Sequence, residues 1–350
     1  MRICLYGMPT SGKTYILDRV DFVDVFSGSN LLKEICPDFE TSDDTCKDAA
    51  RKNLANKLMS NKMFIMDGHY AFGNKTVFTE NDGNLYDVFL YLYILPDKLK
   101  KRMVESEKNK KYLDYDISSW QNSEIDSLRE YCHSKGKDFY VLDNPPDNAF
   151  GDISDIIEFI RDIVEGYSCV SFASKIVEDI LSKCETDTIT LMDGDKTLTV
   201  EDTSNTVFEY TTNIFDGNFY TGFQSWKQAR DFEKYNFEEL TKIPVKMNNN
   251  VCKNIGKDTY ILTSGHEKVW SFIASELNVP YYLGREMSAE TKLYVTKMLQ
   301  AAGKTVIAYG DGMNDYYMLK QADKGILVSR DDGRISKSLK GRDLEGLSFV

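Results

Sequence analysis

Eight residues near the amino terminus, Gly7-Met-Pro-Thr-Ser-Gly12-Lys13-Thr14, limit the fold of this chain more than any others. They follow the apolar run Arg2-Ile-Cys-Leu-Tyr6 and precede a helical pattern that begins at Lys13. The spacing G-x-x-x-x-G-K-[ST] at a strand-to-helix turn is what a phosphate-cradling loop requires. Its glycines let main-chain N–H groups wrap an anion, and the helix start adds a positive dipole end. Lys13 can then reach the β- and γ-phosphates of a nucleotide, and the Thr14 hydroxyl can ligate Mg²⁺. Such a loop sits on a parallel sheet. Apolar runs over residues 63–66, 88–94 and 139–142 supply its strands, the last stopped by Asn144-Pro145-Pro146, and helical stretches lie between them. Asp67 closes the second run, where a carboxylate polarises the water shell of Mg²⁺. A helix over residues 153–164 is expected to close this first unit, with the join near Gly166-Tyr167-Ser168.

A second α/β alternation follows. Thr188-Ile-Thr-Leu-Met192 ends at Asp193, Thr259-Tyr-Ile-Leu262 at Thr263-Ser264-Gly265, and Thr305-Val-Ile-Ala-Tyr309 at Gly310-Asp311, with a late strand over 325–328. Ligands of open α/β sheets bind at the carboxyl ends of strands, so these ends should converge. Asp193 and Asp195, two apart in a strand-end loop, can divide labour: one attacks phosphorus, the other handles the proton. Ser264, with Gly265 after it, can hold a phosphoryl oxygen. Lys292, on a helix over 288–299, can bring positive charge between nucleophile and phosphate. Asp311 and Asp315 add oxygen donors for Mg²⁺. Each feature alone is weak, whereas the ordered set at strand ends is specific. Residues 200–252 lack the alternation. They are rich in aromatics (Phe219, Tyr220, Phe223, Trp226, Phe232, Tyr235, Phe237) and read as a helical insertion over the site.

Residues from the Gly7–Thr14 loop to Asn144 resemble adenylate-kinase-like nucleoside monophosphate kinases. Phe26-Ser-Gly-Ser29-Asn-Leu-Leu-Lys33 resembles the segment that grips the acceptor, and Phe64-Ile-Met-Asp67-Gly-His69 the Asp-bearing second strand. Asp97-Lys-Leu-Lys-Lys-Arg102 resembles the helix that delivers an arginine to the transferred phosphate. That likeness implies ATP contacts for Gly7, Gly12, Lys13, Thr14 and Arg102, and acceptor contacts for Ser29, Lys33 and Asp67. Lys33 stands where many relatives carry Arg, and no arginine lies between Arg102 and Arg129, where the lid of that family has several. Residues 188–328 resemble the haloacid dehalogenase superfamily in its phosphoserine-phosphatase-like branch. That likeness implies a Rossmann-like domain in which Asp193 is the nucleophile and Asp195 the general acid/base. It also implies that Ser264 and Lys292 bind phosphate, and that Asp193, the Asp195 carbonyl, Asp311 and Asp315 bind Mg²⁺, beneath a helical cap over about 200–252.

The expectation is therefore an α/β chain of two domains: a P-loop kinase domain with a parallel sheet over 1–166, and a haloacid dehalogenase-type phosphatase domain over 167–350. Its order resembles that of phage-type polynucleotide kinase–phosphatases, although Ser27-Gly-Ser-Asn lacks the paired Asp and Arg those kinases carry. The expected activity is a bifunctional kinase and phosphatase using ATP and Mg²⁺ on a nucleotide-type or nucleic-acid-end substrate. A kinase–phosphatase for a small metabolite and a phosphatase regulated by ATP binding are the competing readings. The net charge of −12 disfavours a broad nucleic-acid-binding face. Seven scattered cysteines without C-x-x-C spacing suit a reducing compartment, hence a cytoplasmic location. No apolar run approaches the length of a membrane span, and a homo-oligomer stays open.

Overall fold

The computed structural model describes residues 1–143, 153–208, 219–234, 245–330 and 332–350. The chain divides into two units, Met1–Tyr167 and Ser168–Val350.

In the first unit the strands are β1 (Arg2–Tyr6), β2 (Val25–Ser27), β3 (Phe64–Asp67), β4 (Ala71–Phe72), β5 (Lys75–Thr76), β6 (Val88–Tyr93) and β7 (Asp138–Asp143). Its helices are α1 (Lys13–Leu17), α2 (Gly28–Ile35), α3 (Asp44–Leu58), α4 (Glu80–Leu85), α5 (Pro96–Glu105), α6 (Ile117–Lys135) and α7 (Ser154–Val164). Among the described residues five strands form a parallel sheet in the order β2-β3-β1-β6-β7. The β6 residues Val88, Phe89, Leu90, Tyr91 and Leu92 are all buried, the continuous apolar run that a sheet covered on both faces demands. The sheet places β1 between β3 and β6, so the loop after Tyr6 leaves from the middle of the carboxyl edge.

The expected strands are present with boundaries shifted by a residue or two. The short β2 and the β4–β5 hairpin had no counterpart in the sequence reading. β2 is a three-residue edge strand whose pairing with Ile65, Met66 and Asp67 comes from β3, not from periodicity of its own. The stop expected at Asn144, Pro145 and Pro146 lies outside the described residues.

The second unit holds α8 (Cys169–Lys183), β8 (Thr188–Met192), α9 (Thr203–Phe208), α10 (Gly222–Phe232), α11 (Asn249–Cys252), β9 (Thr259–Leu262), α12 (Glu267–Leu277) and β10 (Tyr281–Tyr282). It continues with α13 (Ala289–Ala301), β11 (Thr305–Gly310), α14 (Met313–Gln321), β12 (Lys324–Leu327) and β13 (Ser348–Phe349). The sheet runs β10-β9-β8-β11-β12-β13, parallel at every pairing. Met192 is level with both Ile261 and Tyr309, so β8, β9 and β11 end side by side. One core lies between the sheet and α8, α13 and α14, and includes Ile176, Ile180, Leu191, Tyr294, Leu299 and Leu319. A second gathers Leu198, Val251, Ile261 and Trp270.

The described parts of the expected insertion are helical. Phe219, Phe223, Trp226 and Phe232 are buried; the rings of Phe223 and Trp226 stack within α10 at 6.0 Å between centroids, and Phe232 packs against His266 at the start of α12. Tyr235 and Phe237 lie outside the described residues. The seven cysteines form no disulfide, and no described helix is long and apolar enough to cross a membrane.

Candidate active sites

In the first unit, β1 hands over to a loop whose turn relies on left-handed backbone at Gly12 (φ 98), with Thr10 (φ 64) sharing that region. Glycine at position 12 reaches that conformation without the Cβ clash other residues meet. Lys13 folds back over the loop and donates to the carbonyls of Gly7 at 2.6 Å and Met8 at 3.3 Å. Burial lowers its pKa to about 8, and the charges of Asp67 and Glu124 hold it partly up. Arg102, on α5, donates to the Thr10 and Ser11 carbonyls at 3.3 and 3.1 Å, so the expected arginine does meet the loop. The hydroxyls of Thr10 and Ser11 are buried with no protein partner, while Thr14 is exposed.

Asp67 accepts from the Gly28 N–H at 2.8 Å and so ties the end of β3 to the start of α2. Ser29 is exposed, 3.3 Å from the Ser27 hydroxyl. Lys33 stands apart: exposed on α2, it pairs with Glu40 at 2.9 Å. Glu124 was absent from the sequence reading. It is buried on α6 and accepts from Tyr91 Oη (2.6 Å), Trp120 Nε1 (2.9 Å) and Ala71 N (3.0 Å). A glutamate four residues after Trp120 on an apolar helix face was the available signal. His69 lies in the same region, and burial, then Lys13 and Lys108, push its pKa well down, so it is neutral.

In the second unit the three strand ends converge. Asp193 N donates to Tyr309 O at 3.0 Å, which fixes β8 to β11 at the point where both acidic loops begin. Lys292 is fully buried and donates to Asp193 Oδ1 at 2.6 Å and Asp315 Oδ1 at 2.7 Å. It reaches them because α13, capped by Ser288 accepting from Thr291 N, is buried nearly all round from Ala289 to Thr296. Asp315 Oδ2 accepts from the N–H groups of Asp311 and Gly312 at 3.1 and 3.3 Å. Asn314 Nδ2 donates to Ser264 Oγ at 3.3 Å, which brings the β9 end into the same group. Gly265 N donates to Thr263 Oγ1 at 3.0 Å.

Carboxylate oxygens of Asp193, Asp311 and Asp315 lie within 4.8 Å of one another. This set offers only hard oxygen donors, the kind a small divalent cation prefers. Burial pushes the Asp193 carboxyl well up, with Asp315 adding to the push and Lys292 opposing it. Burial, then Asp315, raises Asp311 to about 6, against Arg330. Burial alone would lower Lys292, but Asp193 and Asp315 outweigh it and hold the ammonium above its ordinary value. Three carboxylates around one lysine and one arginine leave unbalanced negative charge, which a bound cation would offset.

The Asp195 carboxylate is not part of that trio. It accepts from Thr203 N at 2.6 Å and from Trp270 Nε1 at 3.0 Å, and burial, then Asp202, raises it to about 6. Trp270 was missed because, three residues into an amphipathic helix, it reads as core. Arg330, which donates to Asp311 Oδ2 at 2.7 Å, was also missed. The basic stretch after β12 was its only trace in the sequence. Lys196 Nζ donates to Asp202 at 2.6 Å beside the acidic loop.

A family model described as haloacid dehalogenase-like hydrolase matches residues 164–340. A protein of Buchnera aphidicola subsp. Baizongia pistaciae whose name carries the word phosphatase is 25% identical over 185 residues, 51% of this chain and 64% of that protein. The potassium-transporting ATPase ATP-binding subunit of Synechocystis sp. is 33% identical over 92 residues, 26% of this chain and 13% of that subunit. The chain thus spans less than two thirds of the length of either curated relative. Among solved structures, a shikimate kinase from Acinetobacter baumannii in complex with shikimate is 14% identical, with 47% of this chain and 92% of that chain covered and a TM-score of 0.35.

Proposed function

The chain belongs to the haloacid dehalogenase-like hydrolases, and from that premise we propose a bifunctional enzyme. Its second unit hydrolyses a phosphomonoester through an aspartyl-phosphate. Its first unit transfers the γ-phosphate of ATP to a nucleotide or a nucleic-acid end. One observation carries the phosphatase reading: the buried Lys292 ammonium bridges Asp193 and Asp315 at 2.6 and 2.7 Å beside Asp311.

Asp193 is the nucleophile in this reading. One carboxylate oxygen forms a bond to phosphorus as the bond from phosphorus to the leaving oxygen breaks, and Asp195 gives its proton to that oxygen. Asp195 then takes a proton from water. The water oxygen bonds to phosphorus, the aspartyl–phosphorus bond breaks, and inorganic phosphate leaves. Trp270 and the Thr203 N–H aim the Asp195 carboxylate between the two steps. Lys292 holds positive charge against the oxygen that attacks and against the phosphoryl group, and Ser264 offers a hydroxyl to the latter. Asp193, Asp311 and Asp315 would hold Mg²⁺, and the Asp195 main-chain carbonyl would add a donor. When bound, the ion supplies charge neutralisation for the phosphoryl oxygens. Asp315, engaged by Lys292 and two main-chain N–H groups, would act from behind Asp311.

The kinase reading rests on the Gly7–Thr14 loop, whose unpartnered Thr10 and Ser11 hydroxyls suit an oxyanion guest. Lys13 would exchange the Gly7 and Met8 carbonyls for ATP phosphates, while Arg102 braces the loop from outside. Labelled ATP offered with nucleoside monophosphates and, separately, with oligonucleotides bearing a terminal hydroxyl tests this half. A generic phosphomonoester with Mg²⁺ tests the other. No transfer to any acceptor, or no hydrolysis, would remove the corresponding half of the proposal.

A further inference from the structure

The second unit contains a cleft of about 540 Å³ whose lining, among the described residues, includes Lys196, Arg330, Arg334 and Lys337 against one carboxylate, Asp332. The hydrolysis outlined above uses none of these cations. Lys196 reaches the cleft from a left-handed backbone (φ 61), directly after Asp195. That conformation costs a lysine roughly 1–2 kcal/mol, and strain of this kind persists where surrounding structure enforces it. Arg330 connects the cleft to the reacting centre, because its guanidinium holds Asp311 Oδ2 at 2.7 Å.

The wall that carries these cations is built. Arg330 N donates to Arg334 O at 2.8 Å and Gly333 N to Arg330 O at 2.7 Å. Met313 N donates to Ser338 Oγ at 3.0 Å, which anchors the wall at the start of α14, between Asp311 and Asp315. Three of the cations have one acidic partner each: Asp202 for Lys196, Asp311 for Arg330 and Asp332 for Arg334. Lys337 has no ion pair among the described residues. With Asp202, Asp311 and Asp332 counted, the four cations leave one net positive charge among the described residues, carried by Lys337, and a phosphate entering the hollow would meet it. Two guanidinium forks match the oxygen geometry of phosphate.

We propose that this cleft binds a second phosphate, carried on the leaving group of the molecule whose first phosphate meets Asp193. The substrate class is a bisphosphorylated small molecule, a nucleoside or sugar bisphosphate. The volume lies in the range of roughly 300–1,000 Å³ typical of small-molecule sites. The inference rests on the phosphatase reading of the same centre.

The experiment compares kcat/KM of the full chain, with Mg²⁺, on a nucleoside bisphosphate and the matching monophosphate, and on a sugar pair treated likewise. The wild type should prefer the bisphosphate by about 10- to 100-fold, the scale of one or two charge-assisted contacts. Arg334 and Lys337 are exposed and touch none of the reacting carboxylates. Arg334→Ala with Lys337→Ala should bring the ratio toward one, chiefly by raising KM for the bisphosphate, and Lys337→Glu should lower it further. Equal rates on the two members of each pair, or a preference that survives the double change, overturns the inference and leaves the phosphatase reading standing. Failure to hydrolyse any phosphomonoester, generic ones included, removes that reading and this inference together.

Discussion

Trp270 Nε1 donates to Asp195 Oδ2 at 3.0 Å, and the same indole fills the space that side chains at positions 194 and 265 would need. A Cβ on Gly194 would lie 2.5 Å from Trp270 Cζ2, and one on Gly265 2.2 Å from Nε1. The two strand-end loops are thus shaped around one ring that also holds the Asp195 carboxylate. Trp270→Phe keeps most of the ring and loses the donor. It should lower kcat about 10-fold on substrates with poor leaving groups, the worth of one hydrogen bond to a charged group. The loss should be smaller on an aryl phosphate, whose leaving group needs little protonation. Equal losses on both would show that Trp270 does not act through Asp195.

Gly265→Ala tests the close approach. The added methyl must displace Trp270 or the loop, at a cost of about 1–3 kcal/mol. In a domain of this size that lowers Tm by about 2–4 °C per kcal/mol. Calorimetry should show the second unit melting earlier and phosphatase activity falling with it. An unchanged melt would mean the indole is free to move.

Lys13→Ala should abolish phosphoryl transfer from ATP and spare phosphomonoester hydrolysis, and Asp193→Asn should do the opposite. Loss in each targeted activity should be about 10³-fold or more. The check is both assays on both variants. Joint loss of the two activities in either variant contradicts separate sites.

Chelation should stop hydrolysis and lower the melting temperature of the second unit, because only Lys292 and Arg330 then balance the three carboxylates Asp193, Asp311 and Asp315. Added Mg²⁺ should restore both. Stabilisation should grow with concentration and reach about 2.7 kcal/mol at a hundred times Kd. Asp311→Asn should remove most of that Mg²⁺-dependent shift, as read by thermal unfolding without substrate.

His266 gives a pH signature in stability. It caps α12 by accepting from Lys268 N at 3.2 Å and lies 5.5 Å from the Phe232 ring. Burial, then Lys268, lowers its pKa from 6.5 to about 4. The unfolded chain takes up a proton below 6.5 that the folded chain refuses until about 4. The contribution of the neutral ring is therefore complete above pH 6.5 and is lost as pH falls from 6.5 toward 4. His266→Asn keeps a capping acceptor and removes the titration. Its unfolding free energy should fall less steeply across that window than the wild type's, and identical slopes would refute this assignment.

Legibility differed between the two centres. Asp193, Ser264 and Asp311 could be placed because each ends an apolar strand, and parallel strands in one sheet bring their ends to one edge. The P-loop could be placed because its spacing is itself the geometry. Lys33 was less legible: its pairing with Glu40 follows from a long side chain on an exposed helix face reaching a carboxylate that no spacing announced. β2 escaped notice because a three-residue edge strand draws its order from β3.

Taken alone, the amino-acid order determined two α/β units, a phosphate loop in one and an acidic strand-end cluster in the other. These depend on residues adjacent in the chain or on strand ends that any parallel sheet aligns. Folding alone decided which side chains close the circuit. Lys292 meets Asp193 across 99 residues, Trp270 meets Asp195 across 75, and Arg330 meets Asp311 across 19. Those meetings depend on how α12, α13 and the loop after β12 pack on the sheet. Packing is a property of complementary volumes and buried charge, for which no local pattern of residues is a substitute.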